Sequence, residues 1–507
     1  MDELSPVPLS DRDLDRLPTG VLRPRYDRAT LAPGIVHIGT GNFHRAHQGW
    51  YLHRLMQEGM ARDWAVLGAG VRTADALMRR RLLAQDGLTT LIQLDPEYRA
   101  VEVTGAMAGF VPVEEGHGPL IAAMADPRIR IVSLTVTEGG YFRTGAGALD
   151  EGDADLAHDA GGAGAPRTAF GAMVAALAAR RAAGHRPFTG LSCDNLQGNG
   201  EALRAVVLRL AAARDPTLAR WIEAEGAFPN AMVDCIVPAT GEAERGMARA
   251  LGIADAVPVT HEPFRQWVIE DRFADGRPPL EEVGVTFVES VHDHEAMKLR
   301  LLNAGHQLLA NAGELLGHAT IADCMADADL AGFLRHVLAG EAAPHVAPVP
   351  DRTPAAYVDL VARRFANPMI RDTVRRVAFD GTARHATFVL PTVRDALAAG
   401  APLDGLALAE ALWARMCEGE REDGTAIEPN DPRWQARRAA ARAARADPAA
   451  WLRQREVYGD LLRAERFASR FAAWHRAICG RGVRAALRAC IGGPGGAGGA
   501  TGIAGGP

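Results

Sequence analysis

In the first half of the chain, apolar residues fall in short runs that stop at glycine or at a polar turn. Residues 34–38 (GIVHI) end at Gly39, 64–67 (WAVL) end before Gly68 and Gly70, and 129–135 run into Thr137-Glu138-Gly139-Gly140. Residues 188–192 lead into Cys193-Asp194-Asn195, and 231–237 form one more such run. Short apolar, β-branched runs bounded by turns predict strands buried on both faces of a parallel sheet. Segments 43–56, 167–184 and 200–214 carry helical periodicity between them. Alternating strand and helix over this length predicts an α/β domain.

Beyond about residue 290 the strand signals nearly vanish. Segments 294–316, 327–339, 354–366, 402–418, 433–445, 457–475 and 481–490 all read as helices. The predicted organisation has four parts. An irregular leader (1–33) precedes a Rossmann-like domain with a mainly parallel sheet (34–289), then a mainly α-helical domain (290–491) and a tail (492–507) too glycine-rich to build a core. Residues 145–164, rich in Gly, Asp and Ala, read as a surface loop or a partly ordered insertion.

One predicted helix breaks the apolar rule. At 100° per residue, Glu295, Lys298, Asn303 and His306 share an arc of roughly 140°. Leucines at 299, 301, 302, 308 and 309 surround that arc, so no face is cleanly polar. Buried polar groups cost free energy unless they are paired or used. A desolvated lysine loses its proton more readily, which makes Lys298 a candidate general base. The competing reading is an amphipathic helix whose polar stripe faces water.

A second pattern asks for an acid/base group. Gly39-Thr40-Gly41-Asn42-Phe43-His44-Arg45 follows the first strand, which ends at Ile38, and opens a helix. Two glycines allow a tight turn beside a pyrophosphate, and a helix N-terminus supplies amide donors. His44 stands where a third glycine is usual, so the fingerprint is incomplete. After the second strand, Asp75 is placed to bind the adenine-ribose diol and to repel a 2′-phosphate, which favours NAD. The neighbouring Arg72 keeps NADP in play, and an ordinary helix N-terminal aspartate stabilised by the helix dipole is the structural alternative. Asn195 and Asp234 sit at predicted strand ends, where open α/β sheets place ligands and where turn-forming residues are also common. His292 and His294 are spaced i, i+2 and cannot share a helix face as a zincin pair does, so no metal is expected in the reaction.

Composition narrows the class without naming it. With 48% hydrophobic and 23% charged residues and a net charge of −6, the chain reads as a globular protein of two or three domains without a nucleic-acid footprint. Cys193, Cys235, Cys324, Cys417, Cys479 and Cys490 are scattered, which suits a reducing compartment and gives neither a disulfide framework nor zinc-finger spacing. The acidic, polar start predicts no secretory or transit signal, and no apolar stretch reaches membrane-spanning length. A cytoplasmic protein, monomeric or a small homo-oligomer, is expected.

The motifs HIGTGNFHRAHQ (37–48), QDGLTTLI (85–92), IVSLTVTEGGY (131–141), SCDNLQGNG (192–200), FPNAMVDCIVPAT (228–240), WVIEDRF (267–273) and KLRLLNAGHQLLA (298–310) together resemble the polyol-specific long-chain dehydrogenases, the mannitol dehydrogenase family. The resemblance runs from about residue 30 to about 490. It implies interconversion of a sugar alcohol and its ketose with NAD(P) and without metal, with D-mannitol and D-fructose as first choice. By the same resemblance Lys298 is the general base, and Asn195 and Asn303 polarise the reacting oxygen. It makes Glu295 a carboxylate for proton passage, Asp234 and His306 substrate-binding residues, and Asp75 the ribose-binding acid.

The substrate-end motif departs from the family pattern of Arg-x-x-His followed by lysine. Arg376 is kept, Phe379 replaces the histidine and Arg384 replaces the lysine. A planar guanidinium holds a carboxylate bidentately, which keeps a keto-sugar acid open as substrate beside a polyol such as D-mannitol or D-arabinitol. A catalytically silent NAD-binding sensor and, more distantly, a metal hydrolase using His292 and His294 are the readings from other classes.

Overall fold

A computed structural model describes residues 6–142, 149–162 and 164–492. The chain divides into two compact units, Met1–His292 and Asp293–Pro507.

The first unit is built on five parallel strands: β1 (Pro33–Ile38), β2 (Ala65–Ala69), β3 (Met107–Phe110), β4 (Ile131–Leu134) and β5 (Thr189–Ser192). Their order is β3-β2-β1-β4-β5. The chain leaves β1 in one direction and returns on its other side at β4, so the switch point lies at the carboxyl ends of these two strands. Val36 and Ile38 enter one hydrophobic core while Ile35 enters another, as the two-residue period of a strand requires. Helices α1 (Asn42–Ala46), α2 (Gln48–Gln57), α3 (Asp75–Leu83), α4 (Ala169–Ala182) and α5 (Asn199–Arg214) follow or connect the strands.

Several expectations are corrected here. The helix predicted over 43–56 is two helices, because His47 adopts φ −119°, ψ −87° between α1 and α2. The run at 231–237 forms β6 (Ala231–Asp234) outside the five-stranded sheet. It pairs antiparallel with β7 (Gln266–Glu270), which pairs parallel with β8 (Thr286–Val288). An apolar run bounded by turns specifies a strand, but it does not name the partner. A further sheet of Val259–His261, Thr89–Gln93 and Val101–Thr104 has no counterpart in the sequence reading, since threonine and glutamate interrupt its apolar positions. Within 145–164, the described part contains a helix, Ala154–Gly161, capped by the Asp153 carboxylate on the N–H groups of Asp155 and Leu156. The leader is not a separate piece: Val7–Pro8 pairs with Ile253–Ala254, and Leu9 and Leu17 are buried against Leu88 and Val103.

The second unit has helices and no strand among its described residues. The segment predicted as one helix over 294–316 is α6 (His292–Met297), a π-helical turn (Lys298–Asn303) and α7 (Ala304–Leu316). All of α7 except Leu316 is buried, packed against α8 (Asp404–Met416) and the helices Val374–Ala378 and Ala328–Val337. A helix buried all round must place every polar side chain it carries. The helix expected over 457–475 breaks at Gly459, which has φ +60°, and resumes as α9 (Glu465–Arg481). Of the tail read as disordered, 493–507 lies outside the described residues.

Candidate active site

The glycine turn of the first unit is made by backbone. Gly39 has φ +96°, and a Cβ there would lie 2.3 Å from the Thr135 carbonyl oxygen, so only glycine fits between β1 and β4. Gly41 is the N-cap of α1, is exposed, and has nothing nearer than 3.9 Å in the direction of a side chain. No side chain caps α1, so its first amides have neither an intrahelical partner nor a capping group. That cradle fits a pyrophosphate.

The polar side chains of the same motif are committed elsewhere. Asn42 donates to the Pro238 carbonyl at 2.9 Å and to Thr240 Oγ1 at 2.8 Å. Arg45 is buried, donating to Asn42 Oδ1 at 2.8 Å and to the Val257 carbonyl, and burial lowers its pKa to about 10. His44, in the third-glycine position, stacks on His37 with ring centroids 3.5 Å apart. Both rings are buried, and desolvation pushes His37 down to about 3, so it is neutral. Thr40 and Ile38 are buried beneath the turn, while Phe43 stacks on His47.

Asp75 opens α3, and its Oδ2 accepts from the N–H groups of Val71 and Arg72, both at 3.0 Å. Arg72 also approaches Oδ1 at 3.3 Å. The carboxylate therefore closes the turn that precedes α3 and does not cap the helix, whose N-cap is Ala74. Gly70 permits it, since a Cβ there would lie 2.2 Å from that of Asp75.

Asn195 is exposed just beyond β5, and Asp234 is buried at the end of β6. The residues that fix this loop were missed by sequence reasoning. Asp194 accepts from Val136 N–H at 3.1 Å, Thr137 N–H at 2.7 Å and the Tyr141 hydroxyl at 2.8 Å. Asn199 donates to the Asp194 and Ala231 carbonyls and accepts from Ala231 N–H at 2.9 Å. Their signal was present in DNLQGN, but it does not separate a ligand-facing amide from a loop-fixing one.

In the second unit, Glu295, Lys298, Asn303 and His306 are all buried. The solvated-stripe reading is excluded for these four. Their presentation differs from an α-helical wheel, because Lys298–Asn303 is a π-helical turn. Hydrogen bonds from i to i+5 widen the turn and bring residues five apart, here Lys298 and Asn303, closer on one face than 100° steps allow. Single π-turns inside α-helices recur at functional sites.

His306 stacks on Phe365 at 4.1 Å, and its Nε2 makes no hydrogen bond and faces the Asp372 carboxylate at 3.8 Å. Desolvation lowers His306 to about 4, so it presents a neutral imidazole. Asp372 holds Arg376 through two hydrogen bonds of 2.6 and 2.5 Å, which joins Arg376 to His306 through one carboxylate. Asp372 was missed, although its i, i+4 spacing to Arg376 was visible. Arg384 donates to the Val377 carbonyl at 3.1 Å, and Gln307 of α7 donates to the same oxygen at 3.0 Å. Phe379 follows the helix Val374–Ala378 and is 53% exposed, so it does not fill the core. His294 is buried 3.9 Å from Asp351, and among the described residues the His292–His294 pair joins no group of three metal-type donors.

A dinucleotide-type α/β unit followed by a helical unit bearing a buried lysine and carboxamide defines a class of dehydrogenase folds. Residues 33–282 match the mannitol dehydrogenase Rossmann domain and residues 290–479 the mannitol dehydrogenase C-terminal domain. The chain belongs to the mannitol dehydrogenase family. It is 53% identical over 468 residues to a mannitol 2-dehydrogenase of Cereibacter sphaeroides, covering 92% of this chain and 98% of the relative. It is 38% identical to a polyol:NADP oxidoreductase of Gluconobacter oxydans, covering 94% and 99%. Among solved structures, a Pseudomonas fluorescens mannitol 2-dehydrogenase in ternary complex with NAD and D-mannitol matches with a TM-score of 0.86 at 36% identity, covering 96% of this chain and all of that one.

Proposed function

We propose that the protein interconverts D-mannitol and D-fructose with NAD. The observation that carries this is the buried Lys298–Asn303 π-turn in a chain whose two halves both match the family. The turn backbone at Gly39–Arg45 and the α1 amides would hold the cofactor, with Asp75 binding its ribose; when bound, it would supply the hydride acceptor. The protein's own groups handle the proton. Lys298 Nζ takes the hydroxyl proton, and the Asn303 and Asn195 carboxamides donate to the oxygen as negative charge develops on it. Glu295, three residues before Lys298, passes that proton to solvent. His306, Arg376 and Arg384 of the second unit and Asp234 of the first are assigned to the remaining hydroxyls.

The assignment of D-mannitol is supported by the relatives' names, while Phe379 and Arg384 favour testing keto-sugar acids alongside. No helix among the described residues is long and apolar enough to cross a membrane. All six cysteines are free thiols and five are buried, which supports a reducing, cytoplasmic location.

The test is a panel of ketoses and keto-sugar acids assayed with both NADH and NADPH. D-fructose reduction with NADH is the expected activity. A preference for a keto-acid replaces the substrate, and tight NADH binding without turnover of anything on the panel leaves the sensor reading in its place.

A further inference from the structure

Behind the catalytic helix, the second unit holds a group of donors that the reaction does not use. Cys479 and His475 lie four residues apart on α9, and therefore on one face of the helix. Glu418, two residues past the end of α8, stands beside them. One ligand atom from each of the three lies within 4.8 Å of the other two, and Cys479 Sγ is 3.9 Å from His475 Nδ1. Bond lengths of about 2.0–2.3 Å put the donors of a tetrahedral ion roughly 3.5 Å apart, so closure needs each pair of donors to approach by at most about 1.3 Å.

Two features mark the cluster as a site and not a chance meeting. Glu418 and His475 are buried, at 5% and 1% exposure, yet Glu418 Oε1 and His475 Nε2 make no hydrogen bond. Buried polar atoms left without partners are costly and rare. The other carboxylate oxygen is fixed: Arg445 donates to Oε2 at 2.8 and 2.6 Å, and Arg415 approaches it at 3.5 Å. Both arginines grip one oxygen and leave the second free. Cys479, in contrast, is exposed, the only one of the six cysteines that is, so the cluster has an opening to solvent.

We propose that Glu418, His475 and Cys479 bind a thiophilic divalent metal ion of the zinc type. Sulfur, imidazole and carboxylate donors select such ions over magnesium or calcium. The thiol loses its proton to solvent as the ion binds, so two ligand charges face the dication. Arg415 and Arg445 oppose the ion, and Arg476 adds a third cation near His475, which weakens binding relative to the same donors without them. Because α8 and α9 pack together, an ion here cross-links them and stabilises the unit without touching Lys298.

Cobalt(II) is the probe, titrated into the full-length protein under a non-chelating reductant. One equivalent should produce a thiolate-to-cobalt charge-transfer band, zinc should displace it, and zinc should raise the Tm by a few degrees while magnesium does not. Cys479→Ser, a change at an exposed position, should abolish both the band and the Tm rise and leave turnover unchanged. His475→Gln should weaken cobalt binding at least tenfold. No band at stoichiometric cobalt, or a band that survives Cys479→Ser, overturns the proposal.

Discussion

The glycine turn of the first unit and the π-turn of the second solve opposite problems. At Gly39–Arg45 the backbone is offered and the side chains are withdrawn: Asn42 and Arg45 are tied to neighbouring loops, and His44 is stacked on His37. At Lys298–Asn303 the side chains are offered and the backbone is enclosed in a buried helix. The first arrangement suits a ligand bound through a phosphate bridge, for which amides suffice. The second suits chemistry, where a particular lysine must meet a particular hydroxyl. Substitutions should therefore act through the fold at one turn and through the reaction at the other.

The largest effect belongs to Lys298→Ala. Removing a general base costs about 10²–10⁴-fold in rate. Since the lysine does not belong to the dinucleotide turn, the NADH dissociation constant should stay within about twofold. Steady-state rates and NADH fluorescence titration measure the two quantities. A variant with near wild-type kcat removes Lys298 from the base role, and one that loses NADH binding in parallel erases the contrast between the turns.

The next effect belongs to Gly39→Ala, which places a Cβ 2.3 Å from the Thr135 carbonyl at φ +96°. Left-handed backbone alone costs a non-glycine residue about 1–2 kcal/mol, and the clash adds to that. Tm should fall by several degrees and NADH binding should weaken at least tenfold. Gly41→Ala is the control, because nothing lies within 3.9 Å of its Cβ position and its φ is −73°. It should keep the wild-type Tm, so any loss of NADH affinity there comes from the cofactor side. Equal Tm values for the two variants would show that Gly39 is not the strained position.

The two turns also differ in how far the sequence discloses them. The glycine turn is local: strand, Gly-x-Gly and helix start follow one another, and four of the five strands of the main sheet were foreseen as apolar runs, Met107–Phe110 being the one that was not. Its side-chain roles were not legible, because the partners of Asn42 and Arg45 lie near residues 238–257. The polar stripe was legible as an anomaly in a leucine-rich helix, but the π geometry was not, since periodicity assumes a uniform 100° step. Asp372 and Asp194 escaped for a related reason: each acts by holding another residue, and a holding carboxylate has no local pattern beyond its spacing. Residues 231–237 were recognised as a strand and assigned to the wrong company, because pairing is settled by long-range contacts.

The smallest effect tests the one residue at which both kinds of role meet. Asp75 closes its own turn through Oδ2 and leaves Oδ1 beside Arg72. Asp75→Asn keeps an oxygen for the Val71 and Arg72 N–H groups and removes the charge. If the carboxylate repels a 2′-phosphate, the preference for NADH over NADPH should fall about tenfold, or about 1.4 kcal/mol, with Tm unchanged within a degree or two. Asp75→Ala removes the turn-closing hydrogen bonds as well and should lower Tm further, by about 1 kcal/mol for each bond lost. Cofactor ratios and melting curves on both variants separate the roles. An asparagine variant with wild-type discrimination, beside a destabilised alanine variant, makes Asp75 a turn-closing residue and moves cofactor choice elsewhere, with Arg72 the first candidate.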